Sequence, residues 1–398
     1  MGIFILITLT LSLCMLFGIL LHGFHHVMES QKVPTARPCD VSRIDQSNFR
    51  FDVIVPVTGD SPELKDNLYS LMNQDFPQYR IFLVTRDHRD PAVPLIKELL
   101  KGHHHARHVV AGRAVRCGQK NFNLLAGIEA AGKSDGIFIF CDSSHHAPST
   151  LFADLVRPIL NGNEAMTTGF HRVVPEDSRP GTLGMMISVM AIHLLQGNAA
   201  FTQPWGGATA VRRSLFVDYG IDRLWSKTVV DDFTMGPYLR KQGIRCKPVS
   251  SACLTTPLAG EKINGWINWL TRQLLYMKYY TRMEWAAASI AAYLLVVPML
   301  LTVVSLTGFF FDLFPSYIVV SCITYFVIMT ATGIFIRRKF LKKSPIFGWL
   351  STYFIAHFVV CWCYIRTWFL NTISWRGISY KMAWNGTVRE VISDRIHH

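Results

Sequence analysis

Four stretches of this 398-residue chain are apolar for the length of a bilayer crossing, and they bound what it can fold into. The first, Gly2 to Leu21, carries no charge over about 20 residues, enough for a helix through a hydrocarbon core of roughly 30 Å. The other three lie in the C-terminal third: Ala286 to Phe309, Ser316 to Ile336 and Gly348 to Leu370. A cleaved signal peptide is the rival reading of the first stretch. It would want a basic n-region, a shorter core and a small-residue cleavage site, and none is visible around Leu21-His-Gly-Phe24. A retained anchor is therefore expected.

Charge around these stretches orients them. Arg337-Arg-Lys-Phe-Leu-Lys-Lys343 separates the last two, whereas Phe311-Asp-Leu-Phe-Pro-Ser316 carries no Lys or Arg. Basic loops stay cytosolic, so the Arg337 loop is expected there. The segment from about 30 to 280 follows it, being one pair of spans away, and Lys32, Arg37 and Arg43 after the anchor agree. The expectation is an integral multi-pass protein with a cytosolic domain, in the Golgi or ER of a eukaryote or the inner membrane of a bacterium. Parity places the tail outside, yet it carries Arg376, Lys381, Arg389 and Arg395, and Arg366 sits late in the final block. A re-entrant or in-plane last segment would return the tail to the cytosol, and the reading leans that way.

The formal net charge of +13 raises nucleic acid as a partner, but no helix-turn-helix or RNP-like run accompanies it. A basic membrane protein already has a partner in anionic lipid. Nine cysteines occur without a CxxC zinc pattern and are expected as reduced thiols.

Between the apolar blocks, strand-like and helix-like patterns alternate. Phe51–Val57, a run from Arg80, His108–Ala111 and a run from Ile137 read as strands. Helices are expected at Glu63–Asn73, Val93–Leu100 and Lys120–Ala130. That alternation predicts an α/β fold with a mostly parallel, doubly wound sheet covered on both faces. His103-His-His105 reads as a solvated turn rather than a metal site. Beyond Pro148 the alternation loosens. Val173–Gly181 reads as a surface loop, Met185–Leu195 as a helix, Gln203-Pro-Trp-Gly-Gly207 as a tight turn, Gly236–Lys241 as a helix and Arg245–Val249 as a strand. Residues 264–284, rich in Trp, Tyr, Lys and Arg, suit an amphipathic helix in the headgroup region. The expected organisation is an anchor over 1–24, the α/β domain over 30–260, an interfacial helix over 261–285, membrane segments over 286–370 and a tail over 371–398.

Three acidic positions stand out. Arg80-Ile-Phe-Leu-Val-Thr-Arg-Asp87 and Ile137-Phe-Ile-Phe-Cys-Asp142 are buried-strand patterns ending on a carboxylate, and Val229-Val-Asp-Asp232 puts an acidic pair at a helix start. Ligands of open α/β sheets bind beyond the carboxyl ends of the strands, so acids placed there point at a site. A membrane-bound chain with such a site suits the attachment of a soluble activated group to a lipid.

Val55-Pro-Val-Thr-Gly59, Asp87-His-Arg-Asp-Pro-Ala92, Lys120-Asn-Phe-Asn-Leu124, Cys141-Asp-Ser143, Asp231-Asp232 and Thr372-Ile-Ser-Trp-Arg-Gly377 occur in that order. The set resembles the ceramide glucosyltransferases, a membrane branch of the inverting GT-A glycosyltransferases, over residues from about 50 to 390. The resemblance implies a GT-A domain, a UDP-sugar donor, a divalent cation (Mg2+ or Mn2+) and a ceramide-like lipid acceptor. It gives Asp87 the uracil N–H, for which the alternative is a helix cap near Pro91. It gives Asp142 the cation that bridges the diphosphate. The wider superfamily has a second Asp two residues on, where this chain has Ser144. Lys120 either adds positive charge at the diphosphate or is a solvated helix-start lysine.

Asp232 is the expected general base, taking the proton of the lipid hydroxyl as it attacks the anomeric carbon in line. Asp231 beside it would raise the proton affinity of the pair, while the plainer reading has both capping a helix. The family's Gln-or-Arg-x-x-Arg-Trp element is incomplete here: Arg272-Gln-Leu-Leu-Tyr276 lacks the second Arg and the Trp. Arg272 would still approach the diphosphate or acceptor, with Tyr276 as a ring surface. His193 lies where the family builds acceptor surface, or is a core histidine. Trp205, with Gly206 and Gly207, would shape a pocket or simply form a turn. The expected reaction is transfer of one sugar, glucose from UDP-glucose first, to ceramide or a similar lipid. The alternatives are another lipid or sugar, or a degenerate nucleotide-sugar-binding scaffold.

Overall fold

A computed structural model describes residues 2–32, 49–197, 202–341 and 344–393. Arg37, Arg43, Lys342, Lys343 and Arg395, which helped to orient the chain above, lie outside the described residues. In chain order the elements begin α1 (Gly2–Ser30), β1 (Phe49–Pro56), α2 (Leu64–Met72), β2 (Tyr79–Thr85), α3 (Val93–Leu100), β3 (Ala106–Val110), α4 (Gln119–Ala131) and β4 (Asp135–Cys141). They continue α5 (Leu151–Leu160), β5 (Met166–Pro175), α6 (Pro180–Gln196), β6 (Ala208–Arg212), α7 (Arg213–Asp218), α8 (Ile221–Trp225), α9 (Asp232–Lys241) and β7 (Lys247–Leu258). Then follow α10 (Ile263–Tyr280), α11 (Arg282–Phe309), α12 (Ser316–Phe340), α13 (Ile346–Phe369), β8 (Thr372–Trp375), β9 (Ile378–Met382) and β10 (Val388–Ser393).

Two compact units divide the chain: Met1–Gly23, Val173–Leu194 and Pro257–Leu370 form one, and Phe24–Arg172, Leu195–Thr256 and Asn371–His398 the other. The second is built on a seven-stranded sheet in the order β3-β2-β1-β4-β6-β5-β7. β1, β2, β3 and β4 pair in parallel, and β6 runs antiparallel to both β4 and β5. The α/β class and the mostly parallel sheet are as expected. Period-two alternation sends Val53, Val55, Ile81, Leu83, Ile137 and Ile139 into one core, and Ile54, Phe82, Val84, Phe138 and Phe140 into another. Each such fully buried side chain contributes about 1.5–3 kcal/mol. Asp52 of β1 is the exception to this apolar run. It is wholly buried and ion-paired to Arg80, at 2.7 Å, and to Arg213.

Several local expectations are corrected. Val173–Gly181 is not a surface loop throughout: β5 reaches Pro175 and α6 begins at Pro180. The outer half of β5 alternates exposed and half-buried residues, and this made it read as polar coil. α9 starts at Asp232, four residues before the expected start, with Gly236 and Pro237 inside it. β7 runs on to Leu258 because it gains a neighbour in β5. Of the histidine run, His103 bonds Leu99 O and His105 bonds Met72 O, with the His105 ring against Tyr79 at 4.8 Å. His104 between them is exposed, so the run is the expected turn with its outer members tied to neighbours.

The tail folds as a three-stranded antiparallel sheet, β10-β9-β8, and belongs to the α/β unit. Tyr380 is almost fully buried, and its hydroxyl accepts a hydrogen bond from the Gln119 amide at 3.0 Å. The Val388 amide donates to the Lys227 carbonyl at 2.9 Å.

In the other unit, α1, α11, α12 and α13 are long and apolar enough to cross a membrane by length and composition. Ile5 and Leu9 of α1 pack with Met299, Ile318, Cys322, Tyr325 and Tyr353 of the other three. The buried side of α10 is Trp266, Leu270 and Leu274, and the Trp266 indole donates to Ser188. Lys278 at its far end donates to the carbonyls of Thr367 (2.6 Å) and Leu370 (2.9 Å), satisfying the otherwise orphaned carboxyl end of α13.

Candidate active site

β1 is flanked by β2 on one side and β4 on the other, so the residues just past these strands share one sheet edge. Asp142 directly follows β4, and Asp87 lies two residues beyond β2. β1 is also where the winding reverses, the place where open α/β sheets leave a crevice for a ligand.

Four predicted residues converge there. Lys120, in the first turn of α4, reaches Oδ1 of Asp142 at 2.8 Å and Oδ2 of Asp231 at 3.2 Å. It also donates to the carbonyl of Gly206 at 3.3 Å. Asp232 accepts from the amides of Phe233 at 2.6 Å and Gly206 at 3.2 Å. Gly206 is thus the shared floor. A Cβ there would stand 2.3 Å from the Asp231 carboxylate and 2.5 Å from the Lys120 ammonium.

The backbone behind this cluster is pinned from several directions. Asn121, fully buried, donates to the carbonyls of Trp225 and Thr228, and the Gly118 amide donates to Thr228 O. The Trp225 indole donates to the carbonyl of Asp231. Lys120 and the acidic pair therefore meet through buried polar contacts and not through flexible side-chain reach.

The charges set each other. Burial works against the Lys120 ammonium, yet Asp142, Asp231 and Asp232 outweigh it and hold its pKa above the ordinary lysine value. Burial pushes the Asp232 carboxyl up to about 7, helped by the like charge of Asp231 and opposed by Lys120 and the two amides. Capping does not account for Asp231: its side chain makes no cap hydrogen bond to α9. One of its oxygens meets Lys120, and the other is buried with no hydrogen-bond partner.

Asp87 is half exposed, bound by the Arg86 guanidinium at 2.9 Å and by the Arg89 amide at 2.9 Å. Arg86 is the chief cause of its lowered pKa. It does not cap α3. Asp90 instead accepts from the Ala92 amide and reaches across to the Thr58 hydroxyl (2.7 Å) and the Gly59 amide (2.9 Å) of the β1–α2 loop. Asp90 was quoted within a motif above but given no role.

Trp205 forms the turn and more. Its carbonyl accepts from Ala208 N and the Thr209 hydroxyl, and its ring stacks on His171 at 4.8 Å and 4°. His171 and His145 share the Thr256 hydroxyl, at 2.8 and 2.7 Å. Burial holds both imidazoles neutral, His145 at about 3 and His171 well below the usual value. Sequence reasoning missed this pair, whose rings meet at 4.6 Å and share Thr256 of β7 only once the sheet has formed.

The remaining candidates, His193 on α6 and Arg272 and Tyr276 on α10, belong to the unit with the long apolar helices. His193 and Tyr276 are buried and Arg272 is half-buried.

For a divalent cation, no group of three or more His, Cys, Asp or Glu side chains occurs among the described residues. Asp142 and the unpartnered oxygen of Asp231 are the available carboxylate donors. That set fits Mg2+ or Mn2+ in the manner of a site completed by substrate phosphates and water, because such ions commonly take only one or two protein carboxylates.

A family model described as glycosyl transferase family 21 matches residues 13–388. Among solved structures, the chain is similar to the mannosyltransferase PcManGT from Pyrobaculum calidifontis, solved in complex with GDP-Man and Mn2+. That match has 14% identity and a TM-score of 0.49, and covers 90% of this chain and 99% of the other. It is also similar to GalNAc-T7, solved with UDP, GalNAc and Mn2+, at 14% identity and a TM-score of 0.39, over 59% and 48% of the two chains.

Proposed function

Because the chain belongs to glycosyl transferase family 21, a family of nucleotide-sugar-dependent transferases, we propose that it moves one hexose, glucose from UDP-glucose, onto the hydroxyl of ceramide or a similar membrane lipid. The observation that carries this reading is the meeting of Lys120 with Asp142 and Asp231, and of Asp232 with the Gly206 amide, beyond the carboxyl edge of the sheet. Burial beside Asp231 raises the proton affinity of the Asp232 carboxyl, which suits it to take a proton from an attacking hydroxyl. Asp232 is the base, and inversion follows from in-line attack at the anomeric carbon. Asp231 keeps the affinity of Asp232 high by like charge, and Lys120 keeps it from rising too far.

Asp142 would hold the divalent cation, which would supply charge neutralisation of the diphosphate. Lys120, beside Asp142, adds a fixed positive charge on the same side. Asp87, oriented by Arg86 and the Arg89 amide, takes the uracil N–H. Arg272 is assigned to the diphosphate or the acceptor, and Tyr276 and His193 to the acceptor surface. Trp205, held flat against His171, gives the sugar a ring surface. The four apolar helices suit insertion into the bilayer in which the acceptor is dissolved, and the basic residues of the Arg337 loop favour the cytosolic side for the α/β domain.

The test is purified protein in lipid nanodiscs, offered UDP-glucose, UDP-galactose, UDP-GlcNAc and GDP-mannose with ceramide, a sterol, a hopanoid and diacylglycerol. Mass spectrometry reads the products. Glucosylceramide as the main product supports the reading, and a different glycolipid replaces its substrate. No product from any pair leaves a nucleotide-sugar-binding scaffold.

A further inference from the structure

The Trp375-Arg-Gly377 turn has no part in the mechanism above, yet it is the point where the C-terminal sheet meets the crevice. β8 and β9 are joined by Arg376 and Gly377 alone, with Trp375 opposite Ile378. Both turn residues have positive φ, 47° at Arg376 and 72° at Gly377. A two-residue hairpin needs such backbone at both places, and Asn or Gly ordinarily fills the first. An arginine there bears a local cost that glycine would not.

The side chain shows where that arginine is delivered. Its Nη1 donates to the carbonyl of Thr58 at 2.8 Å, just beyond the end of β1. Thr58 and Gly59 are the residues that Asp90 clamps from the β2 side. A Cβ on Gly59 would lie 3.4 Å from the same guanidinium nitrogen, in close contact with it. Further along the hairpin, Tyr380 binds the Gln119 amide, one residue from Lys120, and Val388 binds Lys227 ahead of the acidic pair. One small sheet thus touches the β1 loop, the start of α4 and the approach to Asp231.

We propose that Arg376 is a donor-binding residue, whose guanidinium, set by the hairpin at the end of β1, takes the diphosphate of the nucleotide sugar. The inference rests on the transferase reading above. Guanidinium is the side chain best matched to phosphate, planar and permanently charged. Its place at the winding reversal is where a nucleotide's phosphates lie in open α/β sheets. Lys120 is paired with Asp142 and Asp231, and Arg376, held on the Thr58 carbonyl, brings a second cation to the strand ends from the tail.

The Arg376→Gly variant tests this without endangering the hairpin, because glycine suits the φ of that position; Arg376→Asn is a second such variant. Binding of UDP and of uridine to the full-length protein in detergent is read by calorimetry, with melting temperature as the check on folding. The expected result is a loss of UDP affinity of roughly tenfold to a hundredfold in both variants, the worth of one or two charge-assisted hydrogen bonds, with uridine affinity unchanged. Equal UDP affinity in wild type and variants overturns the role of Arg376 while the transferase reading stands. Parallel losses for uridine and UDP, or a collapsed melting temperature in both variants, make the turn structural and overturn it as well. A wild type that binds no UDP removes the UDP-donor reading, and this role with it.

Discussion

The Lys120 ammonium lies 2.8 Å from Oδ1 of Asp142, which ties the residue after β4 to the first turn of α4. The same ammonium reaches Asp231 and lowers the proton affinity of Asp232, so one cation governs three carboxylates. Replacing Lys120 by Met removes that restraint, and Asp232 then stays protonated to higher pH. We expect the acidic limb of the kcat/KM profile to move upward and the plateau to fall by roughly a hundred- to a thousandfold. A profile that falls without moving would show that Lys120 does not act on the base.

Asp232→Asn should lower turnover by about 10²–10⁴-fold while UDP binding holds, since the general base is lost and the donor site is not. Unchanged transfer removes Asp232 as base. In wild type the rate should rise as pH passes through about 7, as this carboxyl ionises.

The same substitution has a stability signature of definite sign. The Asp232 pKa rises from 3.8 to about 7 on folding, so the protonated carboxyl favours the fold and its contribution is lost as pH climbs through about 7. Asp232→Asn should therefore melt above wild type at pH 8, with the gain shrinking toward pH 5. A constant difference across that range would show that burial does not hold the carboxyl protonated.

Gly206→Ala places a methyl group 2.3 Å from the Asp231 carboxylate and 2.5 Å from Lys120. These side chains must part to admit it. Transfer should fall at least tenfold, with a small change in melting temperature, because the pair is displaced and the core is not. Full activity would mean that the Lys120–Asp231 contact is dispensable.

The tail sheet docks on the α/β domain through Tyr380 and Val388, so the two are expected on one side of the membrane. α11, α12 and α13 join two stretches of that unit, and an even number of crossings among them is then expected. Asn385-Gly-Thr387 is an acceptor for N-glycans only in a lumen. Expressed in cells that glycosylate lumenal acceptors, Asn385 should stay unmodified. A glycan there would contradict the shared side.

Much of the fold was readable in the chain because its signals are local. Val53 to Val55, Ile81 to Val84 and Ile137 to Cys141 are apolar on both faces, and only a parallel sheet between helices buries both. Legibility failed where pairing partners are far apart. The outer half of β5, the length of β7 and the whole tail sheet depend on neighbours that no sequence window contains. At the candidate site, Asp87, Asp142 and the acidic pair were legible from their positions at element ends. Asp90, the His145–His171 pair and Arg376 were not, since Asp90 meets Gly59 31 positions away, His145 and His171 meet Thr256 111 and 85 away, and Arg376 meets Thr58 318 away.

By itself the sequence determined the four apolar helices, the parallel half of the sheet and the acids at its carboxyl edge, because periodicity and strand ends are properties of short segments. The tertiary structure alone decided that Lys120, Asp142, Asp231 and Asp232 meet over Gly206, and that the tail closes on the same edge. Coulombic and desolvation effects act over a few ångströms of space, whatever the separation along the chain. Asp232 is an ordinary carboxylate as a letter in the chain, and burial beside Asp231 brings it to about 7.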